Sequence, residues 1–349
     1  MPPMSKRERV LRTLRFQETD RVPVYDILEN DALIEHLAGE GLTVADGDRI
    51  KGKAIARCLD MTRMPRGPRA PGMVRRDDGI VVQQERWTSW IVERPWHDTG
   101  GLTRWIRAQI RRTEEQVFDR ALARAFHEGM DRYQRLFGDD TVQVVESGVG
   151  LTEIYWAIGW EDFAYLMADD PDLIEAWLDA RHRAELRRVA AIADPKRIPI
   201  ALTYDDLAYK TGLLLSPNWL REHWLPRLRA LVDAWHARDV LCIFHSDGNL
   251  WLLMDDLVAS GVDGLNPIEV AAGMTVRKVR ERYPHLVLTG GVDVSQLLPL
   301  GTPEEVRAAS LENIAAAGGL GYFLGSSSYL HGEIPMENIL AMFHAAWHR

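Results

Sequence analysis

Hydrophobic and polar positions along the chain switch repeatedly between two periods. From residue 141 onward, short apolar runs with a two-residue repeat give way to longer segments with a helical repeat, in regular succession. Residues 141–146 predict a strand, followed by a helix carrying Tyr155 and Trp156, and residues 171–193 predict a helix with an apolar stripe. Strands at 198–206, 240–247 and 262–269 precede helices at 217–238, 250–260 and 275–283. A strand at 286–293 leads to a helix opened by Thr302-Pro303-Glu304-Glu305, with a cap, a proline at the first position and a box glutamate, and closed by Gly318-Gly319. A strand at 321–327 and a helix at 335–347 complete the run.

The N-terminal part is less regular. Ser5 and Glu8 form a capping-box pattern before the apolar stripe of Val10, Leu11 and Leu14, and residues 20–28 predict a first strand with Asp26 and Glu29 near its end. Residues 31–60 predict helix. Residues 61–72 hold three prolines and two glycines among arginines and predict an irregular loop, a solvated connector or, through Arg63, Arg66 and Arg69, a clamp for an acidic substrate. Residues 79–92 alternate well enough for a hairpin bearing Trp87 and Trp90, with Trp96 and Trp105 close behind, and a helical stretch follows Phe118 to about residue 136. Strongly apolar strands alternating with helices require a parallel sheet covered by helices. An open doubly wound sheet normally has a Gly-rich phosphate turn after its first strand, and none is found. The expectation is therefore an α/β protein, a (β/α)8 TIM barrel forming one domain over residues 1–349, with a helical and hairpin insertion at about 61–110.

Composition narrows the class of function. A formal charge of −9 disfavours a nucleic-acid surface. No apolar run approaches a membrane span and the N-terminus has no hydrophobic signal core, so no membrane role and a soluble, cytoplasmic protein are expected. Cys58 and Cys242 are the only cysteines, which excludes a disulfide framework and a Cys-rich zinc site.

In a barrel, active residues gather at the C-terminal ends of the strands. Those ends read Glu146, then Tyr204-Asp205-Asp206, then His245-Ser246-Asp247, then Asn266 and Glu269, then Asp293, then Ser326-Ser327-Ser328 with His331 beyond. Chance would scatter such residues over both edges. In the run Leu241 to Asn249, His245 and Asp247 share one strand face, although such a pair also serves as an ordinary loop pin. Asp205 and Asp206 face opposite ways, so one at most enters a pocket. Acids and imidazoles on separate strands can hold a divalent metal, zinc among the options, or act as general acid and base without one. His245, Asp247, Glu269 and His331 form the candidate metal set. Asp206, His245, Asp247 and Glu269 are the candidate catalytic residues. Glu146, Tyr204, Asp205, Asn249, Asn266, Asp293 and Ser327 are the candidate substrate contacts.

At these residues the chain resembles the uroporphyrinogen decarboxylase superfamily, and within it the cobalamin-dependent methyltransferase branch. The resemblance lies in Asp20-Arg21-Val22-Pro23, Asp205-Asp206-Leu207 with Thr211-Gly212 and Ser216-Pro217, and His245-Ser246-Asp247-Gly248-Asn249. It continues through Gly264-Leu265-Asn266-Pro267-Ile268-Glu269 with Ala272-Gly273-Met274, Gly290-Gly291-Val292-Asp293 and Ile334-Pro335-Met336-Glu337-Asn338-Ile339. It implies a (β/α)8 barrel with its pocket at the strand C-termini. The arginine-bearing motif that meets porphyrinogen carboxylates in the decarboxylases is replaced here by Tyr25-Asp26-Ile27-Leu28-Glu29-Asn30. Asp247 stands where the zinc-dependent methyltransferases have the Cys of their His-x-Cys pair, which implies an oxygen and imidazole site or none. The pattern resembles members that demethylate small methoxylated or methylated compounds and pass the methyl group to a corrinoid protein. Three expectations follow: methyl transfer from a small O- or N-methylated donor to a cobalamin-bearing partner, decarboxylation of a porphyrinogen or other acidic ring compound, or non-catalytic binding of a small molecule. The sequence leaves the oligomeric state open, a homodimer being compatible with it.

Overall fold

The computed structural model describes residues 2–138 and 140–347. Six consecutive parallel strands form one continuous ladder: Val145–Gly148, Ile200–Tyr204, Leu241–His245, Gly264–Ile268, Val287–Gly290 and Tyr322–Phe323. Shorter pairings complete the ring. Met61–Thr62 lies parallel to Val142–Gln143, Tyr25 bridges to Met61, and Val24 bridges to Leu324. The result is a (β/α)8 barrel whose first, second and eighth strands join through two-residue pairings and single bridges rather than a long ladder.

One difference from the sequence reading lies here. The arginine-rich stretch from Met61, expected to be irregular, begins with the second barrel strand. That strand has only two residues, too few to display a two-residue repeat before the prolines interrupt it. Its place is set by the ladder and by Asp60, whose buried carboxylate accepts Val24 N and two arginines. Between the second and third strands the chain forms a three-stranded antiparallel sheet, Gly72–Arg75, Val81–Gln84 and Ser89–Glu93, and two helices, Thr99–Glu114 and Arg120–Leu136. The segment expected to be helical at 31–60 is two helices, Asp31–Ala38 and Gly47–Cys58, the first capped by the Asn30 side chain and ended by left-handed Gly39.

Side-chain alternation divides the core in two. Ile200, Leu202, Ile243, Val287 and Phe323 point into the barrel with Tyr25, Met61, Val142 and Val144, and Val10 and Leu14 of the helix Lys6–Leu14 pack against this cluster. Ala201, Cys242, Phe244, Leu265, Leu288 and Tyr322 point outward against the helices. Burying a Leu, Ile or Phe in either layer is worth roughly 1.5–3 kcal/mol. The same alternation decides which residues at the strand tips face the mouth. The capping box at Thr302 and Glu305 forms with both reciprocal bonds, and Pro303 opens the helix Pro303–Ala316.

Candidate active site at the barrel mouth

Each strand that is apolar within the barrel becomes polar two residues later on the same face. Ile243 is followed by His245 and Asp247, Leu202 by Tyr204, Val144 by Glu146, Met61 by Arg63 and Val287 by Thr289. On the neighbouring strand Asn266 stands in register with His245.

His245 is the best-fixed member. Its Nδ1 lies 2.7 Å from Asn266 Oδ1, an acceptor, so the ring proton sits on Nδ1 and the lone pair is on Nε2. The facing groups agree with that assignment. Arg63 Nη2 lies 3.5 Å from Nε2 and can donate to it, and Asp206 Oδ1 lies 3.8 Å away. Burial, aided by the Arg63 charge, pushes the imidazole pKa down to about 3. His245 is therefore neutral at physiological pH and presents its Nε2 lone pair toward Arg63.

Two carboxylates complete the centre. Asp206 follows the fourth strand and Asp247 the fifth, and the Asp247 backbone N–H is 3.5 Å from Asp206 Oδ1. Burial, with the charges of Asp206 and Glu269 beside it, pushes the Asp247 carboxyl up to about 7, and Arg63 opposes the shift. Burial also raises Asp206. Asp247 Oδ1 is buried with no hydrogen-bond partner, as are Tyr25 Oη, Arg63 Nε and Thr289 Oγ1. Buried polar atoms are rarely left unpaired, and the free Asp247 Oδ1 beside Asp206 and His245 marks a place for a ligand.

Asp206, His245 and Asp247 offer ligand atoms within 4.8 Å of one another, the group of this kind found among the described residues. Two carboxylates and an imidazole suit a divalent cation that prefers oxygen and nitrogen. The unpaired Asp247 Oδ1 supplies a vacant ligand atom for it, and His245 Nε2, now facing Arg63, a second once that contact gives way. No thiol joins them: Cys242 points outward from its strand, and Cys58 Sγ bonds to Ala54 O within a helix.

The other expected residues fall in different places. Glu269 is next to the centre, accepting Gly248 N at 2.6 Å and so shaping the turn after Asp247. It lies outside the ligand group, as does His331, which pairs with Glu29 in register and accepts Glu333 N. Glu146 accepts Arg63 Nη1 at 3.0 Å. Tyr204 Oη donates to Glu153. Asp205 faces away from the mouth: its oxygens accept Gly150 N, Thr152 N and Trp224 Nε1, tying the fourth strand to the helix Leu151–Ile158. Asn249 Oδ1 accepts Trp251 N. Asp293 accepts Ser295, Gln296 and Leu297 N–H groups, and Ser327 Oγ accepts Val294 N. Asp26 latches the first strand to the eighth through Ser326 N and Oγ, and burial pushes its carboxyl up to about 7.

Of the three arginines expected as a clamp for an acidic substrate, Arg63 takes the central place, between Glu146 and His245. It lay within a segment read as loop, and the signal that marks it is its position two residues after a buried strand residue, Met61. Arg66, nearby in sequence, is exposed.

Comparison with known proteins agrees with this fold. A methyltransferase from Methanosarcina mazei has the same fold, with a TM-score of 0.70 at 17% identity over 98% of each chain. A methylcobamide:CoM methyltransferase (MtbA) from Methanosarcina mazei is 25% identical over 149 residues, covering 43% of this chain and 42% of that protein. An alanine–tRNA ligase from Pyrobaculum neutrophilum is 28% identical over 163 residues, covering 44% of this chain and 16% of that protein. The chain thus spans less than half the length of either curated relative. The sequence pattern of the uroporphyrinogen decarboxylase (URO-D) family matches residues 152–348, which carry Asp206, His245, Asp247 and Glu269, and the chain belongs to that family.

Proposed function

We propose that the protein transfers a methyl group from a small O- or N-methylated donor to the cobalt of a corrinoid carried by a partner protein. The observation that carries this reading is the open cluster of Asp206, His245 and Asp247 at the mouth of a barrel related to a methylcobamide:CoM methyltransferase. The corrinoid's reduced cobalt supplies the electron pair that accepts the methyl group, while the pair of the broken C–O or C–N bond remains on the donor heteroatom. Asp247, with its carboxyl near pH 7, is suited to hand a proton to a leaving oxygen. The neutral His245, fixed by Asn266, accepts at Nε2 an N–H of an amine donor. Asp206 and Arg63 fix the charge around it. A divalent cation bound by Asp206, His245 and Asp247 would supply Lewis-acid polarisation of the leaving heteroatom.

One observation favours the decarboxylase alternative: Arg63 reaches into the mouth and is only 12% exposed. Glu146, Asp206 and Asp247 surround it, however, and a substrate bearing several carboxylates would meet repulsion there. The test is to incubate the purified protein with a panel of methyl ethers and methylamines and free cob(I)alamin, following methylcobalamin by absorbance. Formation of methylcobalamin with at least one donor is expected. Release of CO2 from a porphyrinogen, with no methyl transfer from any donor, would overturn the reading.

A further inference from the structure

The Nε2 lone pair of His245 faces a cation that belongs to the chain itself. Arg63 Nη2 lies 3.5 Å from it, and Nη1 of the same guanidinium donates to Glu146 Oε1 at 3.0 Å. The backbone that carries Arg63 is pinned. Lys51, only 1% exposed, donates from Nζ to Met64 O at 3.0 Å and to Arg66 O at 2.9 Å, and it stands over the Trp87 ring. Met64 has a φ of 51°, in the left-handed region that a residue other than glycine keeps only where its surroundings impose it. Gly67 N donates to Asp48 Oδ1 at 2.7 Å. A segment held at so many points does not swing as a lid, so movement of the guanidinium is a rotation of the side chain. The centre is open on one side: the Asp206 side chain is 26% exposed and that of Glu146 40%. Solvent and ions reach His245 past these two carboxylates.

One lone pair cannot serve two partners. A divalent cation ligated by an imidazole nitrogen sits about 2 Å from it, inside the 3.5 Å that now separates Nε2 from Arg63 Nη2. The two positive charges would repel, and the Arg63 N–H would lose its acceptor. The carboxylates can serve either cation. Glu146, Asp206 and Asp247 surround Arg63, and Asp206 and Asp247 also offer ligand atoms within 4.8 Å of one another and of His245. Glu146 gives a displaced guanidinium a place to go. Its bond to Arg63 uses one oxygen and one nitrogen, whereas a carboxylate can take a guanidinium through two of each. We propose that Arg63 and a divalent cation are alternative partners of His245 Nε2, the cation joining Asp206, His245 and Asp247 only when the guanidinium turns onto Glu146. Arg63 thereby sets whether the centre works as a metal site or as a neutral imidazole beside a carboxylic acid. The inference rests on the cation-binding part of the proposed function and not on the fate of the methyl group.

Binding of Mn²⁺ to the full chain, stripped of metal by a chelator and with no corrinoid present, tests this apart from the reaction. Mn²⁺ suits a carboxylate-rich site and is located in crystals by its anomalous scattering. Arg63→Met keeps the length of the side chain and removes its charge and N–H groups. By calorimetry it is expected to bind Mn²⁺ at least about tenfold more tightly than the parent does. In a His245→Ala background the same substitution is expected to gain at least about threefold less, because no lone pair remains to compete for. Parent crystals soaked at saturating Mn²⁺ serve if the Arg63 variant does not fold, and are expected to show the ion on Nε2 with the guanidinium turned onto Glu146. No gain from Arg63→Met, an undiminished gain without His245, an ion on Nε2 with Arg63 unmoved, or no ion at the cluster would each overturn the inference. Mn²⁺ binding governed by Arg63 without methyl transfer from any donor would remove the proposed reaction and leave the competition standing. Methyl transfer by a protein whose Mn²⁺ affinity is indifferent to Arg63 would do the reverse.

Discussion

The two ends of the barrel carry charged networks built from the same residue types, and they differ in whether the polar atoms are used up. At the N-terminal end, Asp60 is fully buried and bonded to Arg9, Arg21 and the backbone N–H of Val24, while Asp20 takes Arg9 twice and Met4 N. At the C-terminal end, Asp247 Oδ1, Arg63 Nε, Tyr25 Oη and Thr289 Oγ1 are buried with nothing to bond. A closed network fixes structure. An open one costs stability and is retained where a ligand completes it. The Asp20-Arg21-Val22-Pro23 motif thus belongs to architecture, and His245 with Asp247 to the candidate site.

Substitutions at the two ends separate these roles. His245→Ala is expected to lower kcat/KM for methyl transfer by roughly 10²–10⁴-fold while leaving the urea midpoint close to that of the parent. An activity within a few-fold of the parent would mean that the open end is not the reaction centre. Asp60→Ala strands Arg9 and Arg21 around an empty position and is expected to cost about 3–5 kcal/mol in urea unfolding. A loss below about 1 kcal/mol would dissolve the contrast from the other side, since surface pairs are worth that much.

Acidity gives the two ends opposite signs. Burial raises Asp247 to about 7, above the ordinary carboxylate value near 4, so the native state holds its proton more tightly than the unfolded chain does. Its contribution is fully present below about pH 4 and is lost as pH rises to about 7, so Asp247→Asn should flatten that part of the stability curve. Asp20 behaves conversely. Burial acts to raise it, but bonds from Arg9 and Met4 N, with the arginine charges, hold it at about 2. Its contribution is present above about pH 4 and is lost as pH falls toward 2, and Asp20→Asn should remove that loss. Urea midpoints measured across pH for both variants check the signs. The smallest effect is expected of Asn266→Ala, which frees the His245 ring without removing it. It should lower kcat/KM by about 10–100-fold, the cost typical of losing a group that orients a working imidazole.

Most of the barrel could be read from residues because five of its strands have four or five residues, and the short first and eighth lie in longer apolar runs, at 20–28 and 321–327. The second could not: Met61–Thr62 is defined by its neighbours, Val142–Gln143 and Tyr25, and local pattern carries no information about them. The loss extended to the site, since Arg63 owes its central place to that short strand. Strand alternation did indicate that one of Asp205 and Asp206 faces the mouth, but which of the two does so depends on the helix Leu151–Ile158, whose N-terminus takes Asp205. Asp293 and Ser327 sit at strand tips as expected, yet their oxygens accept local backbone N–H groups. Polarity at a strand tip is legible in sequence, whereas the availability of the atom is a property of the surrounding chain.

The most direct measurement is methylcobalamin formation from cob(I)alamin, per mole of folded protein, for the parent chain and His245→Ala with the same donor panel. The account predicts transfer from at least one donor by the parent and a loss of at least about 10²-fold in the variant. Equal rates from the two proteins, or no transfer by the parent from any donor, would contradict it.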